Sequence, residues 1–253
     1  MPCRHCFLTL IFIVINCATL FHRPNEFEKG LKSYQQANFQ EAAHHFSSHY
    51  VKNPHSDTTL YYLYNCYKQL SQLERGIEVL EQLVKIGSKD RNVYLNLFYY
   101  YRKTARYKNL YELISNLELH IGIILDECYV LTRKLYAEII SGATNRPSKF
   151  DPVIFAVSKG YIPLCPDGEF YADDTITLGN FIILLNLLVE PFYPQNFFRM
   201  QKMSNRSFLY LPYMRLVHLG IMEFDHELDP NESTPITVAA KAIANLKKRG
   251  LLD

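Results

Sequence analysis

A self-similarity with a period of 34 residues, running from Phe27 to about Gly142, constrains this chain more than any other feature. The first copy carries Phe27, Gly30, Tyr34, Ala37, Phe39, Ala42, Phe46, Tyr50 and Pro54. Adding 34 to Gly30, Phe39, Ala42, Phe46, Tyr50 and Pro54 gives Tyr64, Leu73, Gly76, Leu80, Val84 and Ser88; adding it again gives Phe98, Tyr107, Leu110 and Ile114. A period of this length reads as one helical hairpin per unit, each hairpin burying its apolar face against its neighbours. Gly30 is small where the two helices of a unit approach. Phe39 and Ala42 open the second helix, large then small, and Pro54 closes the unit because it cannot continue a helix. A fourth first-helix, Glu127 to Ser141, continues the phase and reads as a cap.

These residues resemble the tetratricopeptide repeat family over roughly half the chain. The resemblance implies an α-solenoid spanning residues 24–144 and an interaction surface, with the first helix of each unit lining a concave face. The groove positions it implies are Tyr34, Tyr61, Asn65, Lys68, Tyr99, Arg102, Arg133 and Tyr136. Lys68 and Arg102 lie one repeat apart, and with Arg133 they form a basic ladder framed by tyrosines. Such a ladder suits a protein or extended peptide partner carrying a carboxylate, through charge-assisted hydrogen bonds. The Asn and Lys pattern of the chaperone-tail clamp known in this family is not reproduced.

Residues 1–17 form a separate element. Arg4 precedes an apolar run from Phe7 to Ile15. The run is too short for a bilayer span, which takes about 20 residues, and fits the apolar core of a secretory signal. Val14-Ile15-Asn16-Cys17 resembles a bacterial lipobox, with Asn16 where a small residue is usual; the resemblance implies lipidation at Cys17. A plain secretory signal or short anchor, and an N-terminal core helix, are the alternatives. Cys66, Cys128 and Cys165 remain beyond it, with no paired spacing that marks zinc or a disulfide framework. All three sit among apolar neighbours and read as buried thiols.

Asn145-Arg146-Pro147-Ser148 breaks the helical pattern. From there the sequence reads helix, Gly160-Tyr161-Ile162, the turn Pro166-Asp167-Gly168 followed by Phe170, then Ile176-Thr177 opening a helix. Turn chemistry places Pro-Asp-Gly at a chain reversal, and Thr177 is placed to cap the helix. Phe170 is expected to plug the core. The apolar helix that follows, Phe181 to Val189, is expected to be buried all round. A second copy runs from Phe208, with Gly220 and Thr237 separated by the same 17 residues as Gly160 and Thr177. Both copies are similar to S-layer homology units, at residues 148–194 and 205–253. That family binds secondary cell-wall polymer largely through a Thr-Arg-Ala-Glu run at the helix start. Here the runs are Thr177-Leu178-Gly179-Asn180 and Thr237-Val238-Ala239-Ala240, so the Arg and Glu are absent from both.

Chemistry is sparse. Glu41, His45 and His49 share one face of the predicted second helix, with His44 and His55 nearby, but two His four residues apart without a glutamate between them read as ordinary helix-face residues. Asp167, Asp173 and Asp174 read as turn and cap carboxylates. No nucleophile, metal or cofactor pattern is found. Net charge is +2 with no basic or acidic tail, which gives no electrostatic reason to expect nucleic acid. The expectation is a mostly all-α protein: a solenoid of three repeats and a capping helix, then two small helix–loop–helix units. Its expected role is a non-catalytic adaptor of the bacterial cell envelope, facing the periplasm or outer surface, tethered to a membrane by lipid and binding a protein in the groove. The alternative is a binder of cell-wall polymer.

Overall fold

The protein was analysed as a computed structural model, which describes residues 25–117, 119–144, 147, 150–190, 194 and 198–252. The signal-like segment and Cys17 lie outside the described residues. The fold is all-α, with twelve helices among those residues. In chain order these are α1 Glu26–Gln35, α2 Phe39–Lys52, α3 Asp57–Gln69, α4 Leu73–Lys85, α5 Arg91–Lys103, α6 Tyr107–Ser115, α7 Leu119–Cys128, α8 Arg133–Ala143, α9 Pro152–Ser158, α10 Leu178–Asn186, α11 Tyr210–His218 and α12 Ile236–Lys248. None of the described helices is long and apolar enough to cross a membrane.

The turns inside the first three hairpins are alike. Ala37, Ser71 and Ala105 are each in the left-handed region, with φ of 57°, 55° and 55°. Each turn closes with the same bond: the N–H of Asn38, Gln72 and Arg106 donates to Ser33, Tyr67 and Tyr101 at 2.9, 2.9 and 2.8 Å. A left-handed residue after a helix, followed by this six-to-one bond, satisfies carbonyls that the helix end leaves open. The turn residues are 34 positions apart in the chain, so the sequence period and the backbone geometry coincide.

The chain divides into two compact units between Ser88 and Lys89. In the first unit α1 to α4 pack each on the next. Gly30 admits the ring of Phe46: a Cβ at Gly30 would lie 2.7 Å from Phe46 Cε1. Phe46 is fully buried and stacks on Tyr62 at 5.3 Å, and Phe27 and Tyr34 meet Tyr62 edge-on at 5.9 and 5.4 Å. Leu60, Ile77, Leu80 and Leu83 complete the core.

The second unit is organised on α8, whose residues from Leu135 to Ala143 are all buried. Helix α8 packs on α6, α9 and α12, and α12 also packs on α6 and α7. The closest approach is at Gly142, where an added Cβ would lie 2.0 Å from the carbonyl oxygen of Tyr107. The helix expected from Glu127 to Ser141 is interrupted. Tyr129 to Leu131 leave the helix, and α8 restarts with Thr132 as its cap, Oγ1 accepting from Leu135 N at 3.2 Å. The interruption has a tertiary cause. The strip 172–179 bonds on one side to the start of α8, through Ile176 N to Leu131 O at 2.8 Å and Arg133 N to Asp174 O at 2.9 Å. On its other side it bonds to the loop before α12, through Leu178 N to Glu232 O at 2.8 Å and Thr234 N to Ile176 O at 3.0 Å. Backbone groups that a continuous helix would satisfy internally are satisfied across the chain instead.

Several local expectations also change. Phe170 is half-buried beneath the Arg133 guanidinium, 4.9 Å from its ring centroid, and is not a core plug. Helix α10 buries Phe181, Ile182, Leu184 and Leu185 but leaves Ile183 exposed, as it does Leu187 at its C-terminus. Of the three cysteines only Cys66 is buried, its thiol pushed up to about 11 by burial; Cys128 is exposed and Cys165 half-buried. The turn at Cys165 to Gly168 forms as expected, with Gly168 N donating to Cys165 O at 2.9 Å and Gly168 at φ +88°.

Candidate functional site

The eight groove positions fall four in each unit: Tyr34, Tyr61, Asn65 and Lys68 in the first, Tyr99, Arg102, Arg133 and Tyr136 in the second. In the first unit Tyr61, Asn65 and Lys68 follow one another down α3 at steps of four and three, so they share a face. Tyr61 is 48% exposed, Lys68 is exposed and Asn65 half-buried. Tyr34 is half-buried, its ring edge-on to Phe39 at 5.5 Å as well as to Tyr62, so it supports packing more than it offers a contact.

In the second unit only Tyr99 is open, 52% exposed, with Lys103 Nζ 5.7 Å from its ring centroid. The other three are taken up internally. Arg102 Nε donates to Glu138 Oε2 at 2.7 Å, and that carboxylate is nearly inaccessible. Arg133 Nε and Nη2 donate to the carbonyls of Phe170 and Pro163 at 2.6 and 2.5 Å, clamping the loop after α9. Tyr136 is fully buried, and burial pushes its hydroxyl well above the usual phenol range. Arg102 and Arg133, both half-buried, are thus engaged by groups within the second unit, and Lys68 on α3 is exposed.

His45 and His49 are likewise held. His45 Nδ1 lies 2.8 Å from Glu26 Oε2, and His49 Nδ1 lies 2.8 Å from Thr59 Oγ1. Lys29 first, and then His45, bring the Glu26 carboxyl down to about 2. Among the described residues no cluster of His, Cys, Asp or Glu has an arrangement that could hold a metal ion.

The second unit contains a cleft that the sequence did not single out. It has a volume of about 310 Å³ and lies between the loop 221–235 and α12, with Leu178 at its edge. Ile221, Met222, Leu228, Val238 and Ala242 give it apolar walls, and Glu223, Asp225 and Glu232 line it with acid. The loop is held open by Tyr213, whose hydroxyl donates to Glu223 O at 3.0 Å and accepts from Asp225 N at 2.7 Å. Asn245 Nδ2 donates to Ile221 O at 3.1 Å and ties the loop to α12. A volume of this size is at the lower end of ligand pockets.

Two signals in the sequence bear on the internal roles of Arg102 and Arg133. Glu138 is the one carboxylate in the otherwise apolar and small stretch Leu135 to Ala143, a pattern that calls for a buried partner. Thr132-Arg133 is a second Thr-capped helix start, alongside Thr177-Leu178. No protein-family model matches this chain, and no curated protein matches it in sequence.

Proposed function

We propose that this protein is a non-catalytic adaptor of the bacterial cell envelope, held at a membrane by lipid on Cys17 and docking a protein partner on the exposed face of α3. The observation that carries this reading is the recurrence of the left-handed hairpin turn at Ala37, Ser71 and Ala105. It supports the tetratricopeptide resemblance, in which first helices present the binding face. Tyr61, Asn65 and Lys68 supply an aromatic, an amide and a cation on that face, a composition suited to a polypeptide ligand. The partner's carboxylate would meet Lys68 and not a ladder. One acyl chain holds a protein only marginally, so the tether implied by the lipobox resemblance is the usual set of several chains.

Attachment to cell-wall polymer is the second reading. The Thr132-Arg133 helix start bears on it, since it carries the Thr-Arg pair that the other two starts lack, although Arg133 already donates to Phe170 and Pro163. Charge opposes it: the two loops carry Asp167, Glu169, Asp173 and Asp174, and Glu223, Asp225, Glu227, Asp229 and Glu232, which repel an anionic polymer.

The test is light cross-linking in the native host, capture from detergent-solubilised membranes, and a parallel blot of the insoluble wall fraction, with Tyr61→Ala/Lys68→Glu as control. A discrete protein captured by the normal chain and lost from the variant supports the adaptor. Recovery in the wall fraction, unaffected by the variant, overturns it in favour of the polymer.

A further inference from the structure

The cleft between the loop 221–235 and α12 lies in the second unit and is independent of the α3 face. We propose that it is a binding site for a short peptide segment in which a lysine or arginine adjoins an aliphatic residue. Its lining carries three carboxylates, Glu223, Asp225 and Glu232, against one ammonium, Lys241, a net charge of −2. Lys241 Nζ is engaged by Glu223 Oε1 at 2.5 Å, and Lys202 Nζ stands 3.5 Å from Glu232 Oε1. Asp225 spends one carboxylate oxygen on Glu227 N–H at 2.9 Å and has no cation within ion-pair distance among the described residues. It is the acid left to receive a positive ligand.

The acids are exposed to solvent, so a bare cation gains little from them. Binding strength must come chiefly from apolar area removed from water on the occupant and at Val238, which is exposed, with the buried Met222, Leu228 and Ala242 forming the floor. That requires an occupant with an apolar body beside its charge. A volume of about 310 Å³ exceeds one lysine side chain and suits two adjoining residues. An anionic occupant would meet the net negative lining and is disfavoured by the same charge.

The test is amide NMR on the full chain titrated with acetyl-Leu-Lys-amide. Saturable shifts are expected at Met222, Glu223 and Val238 to Ala242, weakening as salt is raised. Asp225→Asn/Glu232→Gln removes the charge at constant shape and is expected to weaken binding about five-fold. Val238→Phe adds bulk at a partly exposed wall and is expected to abolish it. Acetyl-Leu-Glu-amide is expected to give no response. Equal shifts from the glutamate probe, or shifts lying elsewhere on the protein, overturn the site. An equal response to hexylamine overturns the peptide as occupant.

Discussion

Arg102 reaches 36 positions along the chain to bond Glu138 at 2.7 Å, joining α5 to the buried helix α8. Burial holds the Glu138 carboxyl above the usual carboxylate range, and Arg102 pulls it back. Removing one member of such a pair leaves an uncompensated buried charge, at a cost of about 3 kcal/mol.

Arg102→Ala is accordingly expected to unfold at a lower urea concentration than the normal chain, and the loss is expected to depend on pH. With the guanidinium gone, the folded-state affinity of Glu138 for a proton rises further above its unfolded value. Stability from a raised carboxyl is present at low pH and is lost as pH rises through the folded value. The deficit should be largest near pH 8 and shrink on acidification towards about pH 5. An equal deficit at both pH values would show that the buried carboxylate is not its source.

Two glycines in the first unit predict opposite signs. Gly30→Ala places a methyl 2.7 Å from the buried ring of Phe46, and overpacking of this kind costs about 2 kcal/mol. At Gly76 the nearest atom to an added Cβ is Tyr64 Cδ2, at an ordinary 3.8 Å. Gly76 lies in the interior of a helix, where alanine is favoured over glycine by about 1 kcal/mol. Thermal melts of the two variants should move in opposite directions. Destabilisation by both would mean that the hairpin of α3 and α4 is tighter than its geometry.

Helix α12 starts without a side-chain cap of its own. Asp126, from α7, supplies it: Oδ1 accepts Thr237 N–H at 3.0 Å, and Oδ2 accepts the Thr237 hydroxyl. Asp126→Ala should cost about 1 to 2 kcal/mol, in the range of a lost N-cap. Amide exchange at the first turn of α12 should accelerate while that of α2 does not. Unchanged exchange at α12 would remove the capping role.

Lipidation gives a separate expectation for the proposed tether. Cys17→Ser should abolish incorporation of labelled palmitate and move the protein out of the membrane fraction. Continued membrane recovery without label would indicate a retained apolar segment in place of a lipid anchor.

Much of the local architecture was legible. The close helix approach at Gly30, the turn at Pro166 to Gly168 and the cap at Thr177 each depend on residues close in sequence or fixed by a repeat, and each forms. The internal partners of the arginines were not legible. Arg102 and Arg133 look on a helical wheel like open cations. Their partners lie 36 and 30 to 37 positions away, beyond the reach of any local spacing rule. The break at Tyr129 to Thr132 was hidden for the same reason: the strip that bonds it, residues 172–179, arrives from beyond the next two helices.

By itself the sequence determined the all-α character and the period of the hairpins, because helix formation and left-handed turns are governed by neighbours within a few residues. Tertiary structure alone decided which charged groups remain available for binding. Whether an arginine is a ligand contact or an internal clamp depends on which carbonyl or carboxylate the fold delivers to it, and desolvation makes the buried partner claim it first. The same delivery built the acid-lined cleft, from a loop and a helix that no periodicity connects.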